Sequence, residues 1–487
     1  MEKVEHKIGL GEFFRSLQKS NIAVFINKWF YTPYYVMIMA FASLLGATLG
    51  AEVFAYTVII AAAVLSLLFA KDFLPTVPVF ISAYITPNFK NNPGVNPDSV
   101  FSFGRAGIYL TALVALLAIA LVIRLATDKR FNFKKLFTEK RKLTYGFAAI
   151  AVAFLLSGIF SKEFSGVWLK NLIYVSLLVI CFAALYFLYT ACVEWNENAF
   201  FYLLFTGMIL ATEVVLQTVY TYFAKNVILL NGRINRSAIY TGWGNNNNIG
   251  AFMAFLMPCA FALAALKEKN SWVYNGIGNV IFLGIILTQS RGSILTAAIV
   301  YVFCAVLVIS KGHNKIQNAV LYAAVALAGI LVIIVFFDKI VVLMGEIIDK
   351  GLHDGGSGRI NAYKTGMQKF LSAPIFGTTF YSAPPELLWN VAANESFNAF
   401  MPARWHNTAV QILASAGLVG AAAYIYHRTQ TVLLVFKKPS VLKWFLALCV
   451  LSILGTSLVD CHLFNFAPTF IYSILLAFIE KSDDTEL

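Results

Sequence analysis

Three side chains in the second half of the chain have the types that phosphate chemistry requires: Arg291, Arg359 and His406. A guanidinium group can bind two phosphate oxygens at once, and a neutral imidazole can accept a proton near neutral pH. Such groups could bind an anionic ligand and act as a general base. That chemistry requires the predicted elements to carry all three residues to the same side of the molecule.

Arg291 lies between two apolar runs, in the hairpin sequence TQSRGS, with no acidic residue near it in sequence. An arginine at membrane depth is unfavourable unless it pairs with an anion or reaches water. One interpretation is a guanidinium that extends to the lipid headgroups. The other is a fixed cation at the base of an outward-facing cavity that receives an anionic ligand.

Arg359 occupies the first turn of a predicted amphipathic helix within residues 355–377, and Ser357 is a good N-cap for it. Glycines surround this serine, and a proline and a glycine mark the end of the helix: Gly355, Gly356, Gly358, Pro374 and Gly377. The predicted apolar face consists of Ile360, Tyr363, Met367, Phe370 and Leu371. Free backbone N–H groups collect beside Arg359, so this turn is either a phosphate site or a capped helix with an incidental arginine.

His406 and Asn407 open an apolar run in the segment PARWHNTAVQILASAGLVG, and Arg404 precedes His406 by two residues. A histidine at the boundary between water and membrane can act as a general base. The alternative is a structural histidine that is hydrogen-bonded to a carbonyl. The residues alone leave both interpretations open.

The asparagine run in GWGNNNNIG (242–250) opens another span, and Asn245 and Asn247 are its candidate binding residues. These side chains can cap the helix, or they can donate to sugar hydroxyls or phosphate oxygens. Acidic residues on the predicted outer side show no paired spacing typical of a metal site. Neither a metal nor a cofactor is therefore expected.

The composition indicates the kind of protein that positions these residues. Hydrophobic types make up 59% of the 487 residues and charged types 13%, whereas about a quarter of the residues in a soluble domain are charged. The chain is therefore predicted to be an all-α polytopic membrane protein. Basic cytoplasmic loops explain the formal charge of +13 better than nucleic-acid binding does.

Apolar runs predict about fourteen transmembrane helices, each of roughly 20 residues. The predicted spans are 34–52, 54–70, 73–87, 106–126, 144–161, 172–192, 200–222, 246–266, 272–290, 292–310, 317–337, 407–427, 443–459 and 464–480. The run 73–87 is short and contains two prolines. It is counted as a span because the basic loops then all fall on one side of the membrane.

The basic loops orient the chain, with both termini in the cytoplasm. No cleavable signal peptide is visible, so the first span is expected to act as the membrane signal. The predicted organisation is an N-terminal segment (1–33), a transmembrane domain (34–337), a large, partly helical external loop (338–406), C-terminal transmembrane helices (407–480) and a cytoplasmic tail (481–487). Residues 13–30 are expected to lie flat on the membrane as an interfacial helix.

The order and spacing of these motifs resemble the O-antigen ligase and O-antigen polymerase superfamily of bacterial membrane glycosyltransferases. The matching residues are Ser290-Arg291-Gly292, Gly356-Ser357-Gly358-Arg359, Tyr363, Pro374, Gly377, His406-Asn407, Leu413, Gly417 and Gly420, with Asn245 and Asn247 before the span 246–266. The resemblance covers roughly residues 200–430 and does not reach the first 140 residues. Tyr363 stands where the family more usually has tryptophan.

The resemblance implies an enzyme that takes a glycan from a polyprenyl diphosphate, typically undecaprenyl diphosphate. It transfers the glycan to an acceptor hydroxyl on the outer face of the bacterial cytoplasmic membrane, without a metal, and inversion is expected. Arg291 and Arg359 would bind the diphosphate, and His406 would be the catalytic base. The other candidate substrate-binding residues are Asn407, Asn245, Asn247, Arg404 and Tyr363. The expected partners are the lipid-linked donor, a lipid or glycan acceptor and membrane lipids, without nucleic acid.

Three alternatives follow from the same residues. A surface polysaccharide polymerase shares this chemistry and differs from a ligase in its acceptor. A transporter would carry charged residues within several spans, whereas Glu213 is the exception here among nearly uncharged mid-span positions. A scaffolding protein of the cell envelope would not need two arginines and a histidine on the outer side.

Overall fold

The computed structural model describes residues 20–86, 105–128, 130–131, 141–162, 164–225, 227–228, 234–241, 243–335, 337, 359–380 and 404–484. Within these residues the regular structure is helical, and the only β pairing consists of two isolated bridges. Every apolar run predicted from the sequence contains a helix. The predicted all-α class is therefore confirmed.

The helices are numbered here in chain order. They are α1 (Asn21–Phe30), α2 (Pro33–Leu49), α3 (Glu52–Phe69), α4 (Thr76–Ile85), α5 (Arg105–Thr127), α6 (Thr144–Leu155), α7 (Phe164–Val179), α8 (Leu185–Cys192), α9 (Glu197–Ala224), α10 (Asn246–Leu266), α11 (Ser271–Leu287), α12 (Arg291–Lys311), α13 (Lys315–Val335), α14 (Arg359–Ser372), α15 (Thr408–Lys437), α16 (Val441–Ser457) and α17 (Phe466–Lys481). A π-helical turn, Ile180–Ala184, joins α7 to α8.

Six helical stretches in the described part of the chain are long and apolar enough to cross a membrane. The number is seven if α1 and α2, which are bent by 70° to each other, form one span. Six other apolar helices have 10–17 residues, which is shorter than the roughly 20 residues that cross a bilayer. The predicted count of about fourteen spans is therefore not confirmed.

The chain forms two compact units. Unit 1 falls within residues 1–139, 187–263 and 274–298, and unit 2 within residues 140–186, 264–273 and 299–487. Unit 1 holds α1 to α5, α9, the starts of α10 and α12, and most of α11. Unit 2 holds α6, α7 and α13 to α17, together with the rest of α12.

Helix α1 begins at the N-cap Ser20, whose hydroxyl accepts a hydrogen bond from the Ala23 N–H at 3.2 Å. Ile22 and Phe25 leave most of their side chains exposed, at 73% and 72%. Exposed apolar residues next to Lys28 suit a helix that lies on a membrane surface. The interfacial position stays a prediction, and residues 13–19 lie outside the described residues.

The one acidic residue noted within a span, Glu213, is buried inside unit 1 on α9. Its carboxyl oxygen Oε1 accepts hydrogen bonds from Gln217 Nε2 at 2.6 Å and from Ser43 Oγ at 3.2 Å. The Gln217 amide also donates to the Ile85 carbonyl at 3.0 Å. These bonds join α2, α4 and α9, which gives Glu213 a structural role within this unit.

Helix α15 of unit 2 is broken at Gly417, where φ is +64° and ψ is −158°. A continuous helix would bond the Leu418 N–H to the Ala414 carbonyl, and the Val419 N–H to the Ser415 carbonyl. The break opens both bonds. The sequence does not predict this break, since glycine is tolerated within many membrane helices.

The segment 374–379 takes up all four of the freed backbone groups. The N–H groups of Leu418 and Val419 donate to the carbonyls of Pro374 (2.8 Å) and Ile375 (3.1 Å). In return, the N–H groups of Thr378 and Thr379 donate to the carbonyls of Ala414 (2.8 Å) and Ser415 (3.2 Å). We call these four bonds, between segments 374–379 and 414–419, the interlock.

The two glycines at the centre of the interlock leave no room for side chains. A Cβ atom on Gly417 would lie 2.4 Å from the Ile375 carbonyl oxygen. A Cβ atom on Gly377, where φ is +69°, would lie 2.3 Å from the Ser415 carbonyl carbon. Glycine is therefore required at both positions. The interlock ties α14, which ends just before segment 374–379, to the first half of α15.

Candidate functional site

His406 lies in a short turn immediately before α15, with a φ of +53° that side chains rarely adopt. Three contacts hold the turn. The Trp405 N–H donates to Gln411 Oε1 at 3.1 Å, the Tyr363 hydroxyl donates to the His406 carbonyl at 3.2 Å, and Asn407 caps the helix. An unusual backbone held by its surroundings is typical of functional sites.

Asn407 uses both ends of its side-chain amide within unit 2. Its oxygen accepts from the N–H groups of Ala409 (2.8 Å) and Val410 (3.2 Å). Its nitrogen donates to the Leu458 carbonyl at 2.8 Å. Asn407 therefore fixes the turn of His406 against the connection between α16 and α17. This favours a positioning role over the predicted contact with substrate.

Asp460, on that same connection, lies beside the His406 ring. The distance between His406 Nδ1 and Asp460 Oδ1 is 3.3 Å, although its angle does not make a well-directed hydrogen bond. The imidazole is 35% exposed and the carboxylate 13%. The Cys461 N–H donates to the same oxygen, Oδ1, at 2.8 Å. The pair is thus anchored on one side and open on the other.

The electrostatic surroundings keep Asp460 ionised. Burial acts to raise the pKa of its carboxyl group, but the adjacent His406 ring, the electrostatic effect of His462 and the Cys461 N–H outweigh burial. The pKa of Asp460 therefore lies well below its ordinary value. A carboxylate next to Nδ1 favours the tautomer that carries its proton on Nδ1, which leaves Nε2 able to accept a proton.

Two arginines lie within electrostatic range of the neighbouring His462. Burial is the largest effect on the pKa of His462, and it lowers this pKa. The positive charges of Arg404 and Arg359, and that of His406 when it is protonated, lower it further, while the carboxylate of Asp460 opposes them. Arg359 is the first residue of α14, and Arg404 precedes the histidine turn; both are partly exposed. Neither guanidinium group makes an ion pair or a hydrogen bond with the described residues. Unit 2 thus holds, near a histidine–carboxylate pair, two arginines that have no ion-pair partner among the described residues.

Helix α14 packs on the histidine turn through its small residues. Ala362 and Gly366 are buried, and a Cβ atom on Gly366 would lie 2.5 Å from Val410 Cγ1 and 3.1 Å from the Trp405 ring. Burial raises the pKa of Tyr363, with Arg359 opposing it. The predicted apolar face, by contrast, is largely exposed, and Leu371 is 71% exposed. The predicted N-cap Ser357 and its flanking glycines lie outside the described residues.

Unit 1 holds the other predicted site residues at the paired N-termini of α10 and α12. The Ser290 hydroxyl donates to Asn247 Oδ1 at 3.1 Å and lies 2.8 Å from the Ser293 hydroxyl. Asn245 caps α10, because its Oδ1 accepts from the N–H groups of Asn247 and Asn248, each at 3.1 Å. The capping interpretation therefore describes Asn245, whereas Asn247 connects the two helices.

Arg291 begins α12 with an exposed side chain, and it makes no ion pair or hydrogen bond with the residues that the structure describes. The helix N-termini beside it favour an anion. Of the two interpretations of Arg291, this environment favours the fixed cation that awaits an anionic ligand. The predicted site residues thus form two groups: Asn245, Asn247 and Arg291 in unit 1, and Arg359, Tyr363, Arg404, His406 and Asn407 in unit 2.

Sequence reasoning missed Asp460 and His462. Both lie in VDCHLFN, a short polar interruption between two apolar runs. Their type and place were a usable signal, since ionisable residues at the end of a span mark candidate sites. Their contact with a turn more than fifty residues earlier in the chain has no signal in the sequence. Within the described residues, no group of three His, Cys, Asp or Glu side chains could hold a metal ion.

Comparison with known families agrees with this arrangement. Residues 279–425 match the family model described as O-Antigen ligase, a segment that includes Arg291, Arg359 and His406. A search of curated proteins found no match. The family match and the apolar helices support a multi-pass bacterial membrane protein and, in general, a glycosyltransferase with lipid-linked glycan and polysaccharide substrates. Residues 279–425 are thus similar to the O-antigen ligase family, and this similarity supports the O-antigen ligase/polymerase superfamily for this chain.

Proposed function

We propose that the protein transfers a glycan from a polyprenyl diphosphate to an acceptor hydroxyl on the outer face of the cytoplasmic membrane, as a ligase. The reaction inverts the anomeric carbon and needs no metal. Both chain termini lie in the cytoplasm, so that His406 faces the opposite side. The observation that carries the proposal is the His406–Asp460 pair in unit 2, beside His462, which lies within electrostatic range of Arg359 and Arg404.

His406 is the general base in this proposal. Asp460 favours the Nδ1–H tautomer, and Nε2 takes the proton from the acceptor hydroxyl as its oxygen attacks the anomeric carbon. The bond between that carbon and the diphosphate oxygen breaks at the same time, and the lipid diphosphate leaves with the electron pair. Attack opposite the leaving group inverts the configuration. The imidazolium ion then releases its proton to water, and Asp460 stabilises it in the interval.

Arg291 and Arg359 are proposed to bind the donor diphosphate. Negative charge on the bridging oxygen grows as the glycosidic bond breaks, so fixed cations stabilise the transition state more than the ground state. A guanidinium group can donate two parallel hydrogen bonds to phosphate, which a lysine cannot do. Neither arginine has an ion-pair partner among the described residues, which supports this role, because an arginine already paired with a carboxylate would bind anions weakly.

The test uses full-length protein in lipid nanodiscs, a polyprenyl-diphosphate-linked glycan and candidate acceptors. His406→Ala is expected to lower transfer by about 10²–10⁴-fold, the usual contribution of a general base. Arg291→Ala and Arg359→Ala are expected to lower it as well, while the exposed loop variant Lys269→Gln serves as a charge-removal control. Each variant is checked for thermal unfolding like that of the wild type. Undiminished transfer by all three site variants would refute the mechanism.

Two further measurements test the finer claims. Nuclear magnetic resonance of the product should show an anomeric configuration opposite to that of the donor. A metal chelator should leave the rate unchanged. Retention of configuration would instead require a covalent intermediate and would rule out the direct attack described above.

A further inference from the structure

Unit 1 directs three side chains at a single asparagine. Arg236 Nη2 donates to Asn247 Oδ1 at 3.2 Å, and the Ser290 hydroxyl donates to the same oxygen at 3.1 Å. The Ser293 hydroxyl donates to the Asn247 backbone carbonyl at 3.4 Å. Arg236 comes from the loop between α9 and α10, and both serines come from the start of α12. Two separate parts of the chain, the loop before α10 and the start of α12, therefore bond to the carboxamide oxygen of Asn247.

The contact with Arg236 determines which way the Asn247 amide points. A guanidinium group can only donate hydrogen bonds, so the amide atom facing it must be the oxygen. The amino group then lies at the opposite end of the carboxamide, pointing away from Arg236. The Asn247 nitrogen makes no hydrogen bond with the described residues. The described residues thus bond to the oxygen of this side chain and leave its amino group without a partner among them.

The surroundings of that amino group are rich in donors. The first turns of α10 and α12 contain no acidic residue. Arg291 is exposed and makes no bond with the described residues, and the neighbouring Asn246 amide nitrogen is buried without a partner among them. A set of N–H donors beside two positive helix ends suits an anionic oxygen.

We propose that Arg236 is a positioning residue that turns the Asn247 amino group toward a phosphate oxygen of the donor, beside Arg291. The inference rests on the proposed function for the identity of the ligand, a lipid diphosphate. It adds a residue outside the matched family segment, and it assigns the binding role of Asn247 to its nitrogen. Arg236 itself acts through Asn247 and need not touch the ligand.

The substitution Asn247→Asp separates this role from a structural one. Both side-chain contacts of Asn247 are made to its oxygen, and a carboxylate accepts the same two bonds with nearly the same shape. A structural role therefore predicts that Asp is tolerated. The proposal predicts loss of binding, because Asp replaces the amino donor with a second anionic oxygen. Since hydrogen bonds to charged groups are among the stronger ones, we expect binding about 10- to 100-fold weaker.

The experiment measures binding of inorganic diphosphate to the full-length protein in nanodiscs, with displacement by a short-chain polyprenyl diphosphate. Asn247→Asp should bind the diphosphate about 10- to 100-fold more weakly than wild type while unfolding at the same temperature. Arg236→Met should also weaken binding. Arg236→Lys, which still donates to the oxygen, should restore most of it. The double variant Arg236→Met with Asn247→Asp should bind diphosphate no more weakly than Asn247→Asp alone, because Arg236 acts through Asn247.

The outcomes distinguish this inference from the proposed function. If Asn247→Asp binds diphosphate as tightly as wild type, the positioning role is wrong, whatever the transfer assay gives. If wild type binds and the variants behave as expected but no glycan is transferred, the proposed function fails and the binding site stands. Failure of the lipid diphosphate to displace the inorganic ion would overturn the assignment of the ligand, and absence of binding by wild type would overturn both.

Discussion

His406 can act as a base only while its ring is held in one tautomer. We propose that Asp460, whose Oδ1 lies 3.3 Å from His406 Nδ1 and accepts the Cys461 N–H, supplies that constraint through its charge. The substitution Asp460→Asn keeps the shape but removes the charge. We expect kcat to fall roughly 10- to 100-fold, because a base in the wrong tautomer loses part of its usual contribution. Steady-state transfer assays measure this loss.

The affinity for the glycan donor provides the control measurement for Asp460→Asn. The arginines that are proposed to bind diphosphate are unchanged in this variant, so the affinity for the donor should stay within about twofold of wild type, the ordinary effect of a change that touches no ligand contact. An unchanged kcat would show that Asp460 does not orient the base.

We expect the folding stability of the protein to depend on pH through His462, in the connection between α16 and α17. Burial, helped by Arg404, Arg359 and His406, lowers its pKa in the folded protein against the opposing charge of Asp460. The unfolded chain therefore binds a proton more readily, below about pH 6.5. Stability from this group is complete above that pH and is lost as the pH falls toward the folded pKa. The thermal unfolding midpoint should drop between about pH 7.5 and pH 5.5.

The variant His462→Asn provides the comparison. It lacks the titrating ring, so its unfolding midpoint should change less over the same pH range. Equal pH dependence in the variant and the wild type would assign the effect to another group.

At the residue scale, the sequence revealed the residue types and not their partners. Arg291, Arg359 and His406 stand out because charge is rare beside apolar runs. Asp460 was visible as a polar residue in a short connection, but its contact with His406 depends on how α15, α16 and α17 pack. Arg236 was visible too, yet nothing in the spacing connects it with Asn247. Side-chain pairs between distant segments require the fold.

The interlock sets the geometry of α14 relative to the first half of α15. We expect Gly417→Ala to be strongly destabilising, because its Cβ atom would meet the Ile375 carbonyl oxygen at 2.4 Å in a backbone conformation that alanine rarely adopts. The strain of such a conformation alone is on the order of 1–3 kcal/mol. The midpoint temperature of thermal unfolding should fall. Transfer activity should also fall, because the proposed roles of Arg359 and His406 depend on where these residues are placed.

Gly329→Ala is the matched control on α13 of the same unit. A Cβ atom at this position meets nothing within 4 Å, and alanine favours a helix more than glycine does. This variant should unfold at or slightly above the wild-type temperature. Similar behaviour of the two alanine variants would mean that the interlock does not constrain unit 2.

At the element scale, hydrophobic patterning located the helices well, because burial and lipid both select long apolar runs. It could not locate the break in α15. Gly417 lies among small residues in a run that satisfies every criterion for a span, and the break exists because segment 374–379 supplies alternative hydrogen-bond partners. The small buried face of α14 was missed for a similar reason, since Ala362 and Gly366 pack against Trp405 and Val410.

The predicted orientation of the whole molecule can be tested by labelling. Lys364 on α14 and Lys269 between α10 and α11 are both exposed, and they are predicted to lie on opposite sides of the membrane. The native cysteines are free, and all except the partly exposed Cys181 are buried, so background labelling should be low. A membrane-impermeant thiol reagent added outside intact cells should label Lys364→Cys and leave Lys269→Cys unlabelled until the cells are opened. The reverse pattern would overturn the orientation.

At the scale of the molecule, the composition was sufficient to predict a membrane protein, but it was not sufficient to predict the number of transmembrane helices. Apolar runs of spanning length do not always form helices of spanning length. The run 144–161, for example, contains only the helix Thr144–Leu155 before the chain turns. Turns, bends and broken helices at membrane depth depend on partners elsewhere in the fold, and these are not encoded in local hydropathy.

The interlock also limits which segments can be exchanged between related proteins. Helix α15 lacks two of its own hydrogen bonds, and its partners come from segment 374–379, within the region predicted to be external. In lipid, each unmet backbone group is unfavourable by several kcal/mol. A chimaera that takes the external region from a relative but keeps α15, or the reverse, would have to recreate all four bonds. Residues 359–420 should therefore be inherited as one segment, in which Arg359 and His406 stay together.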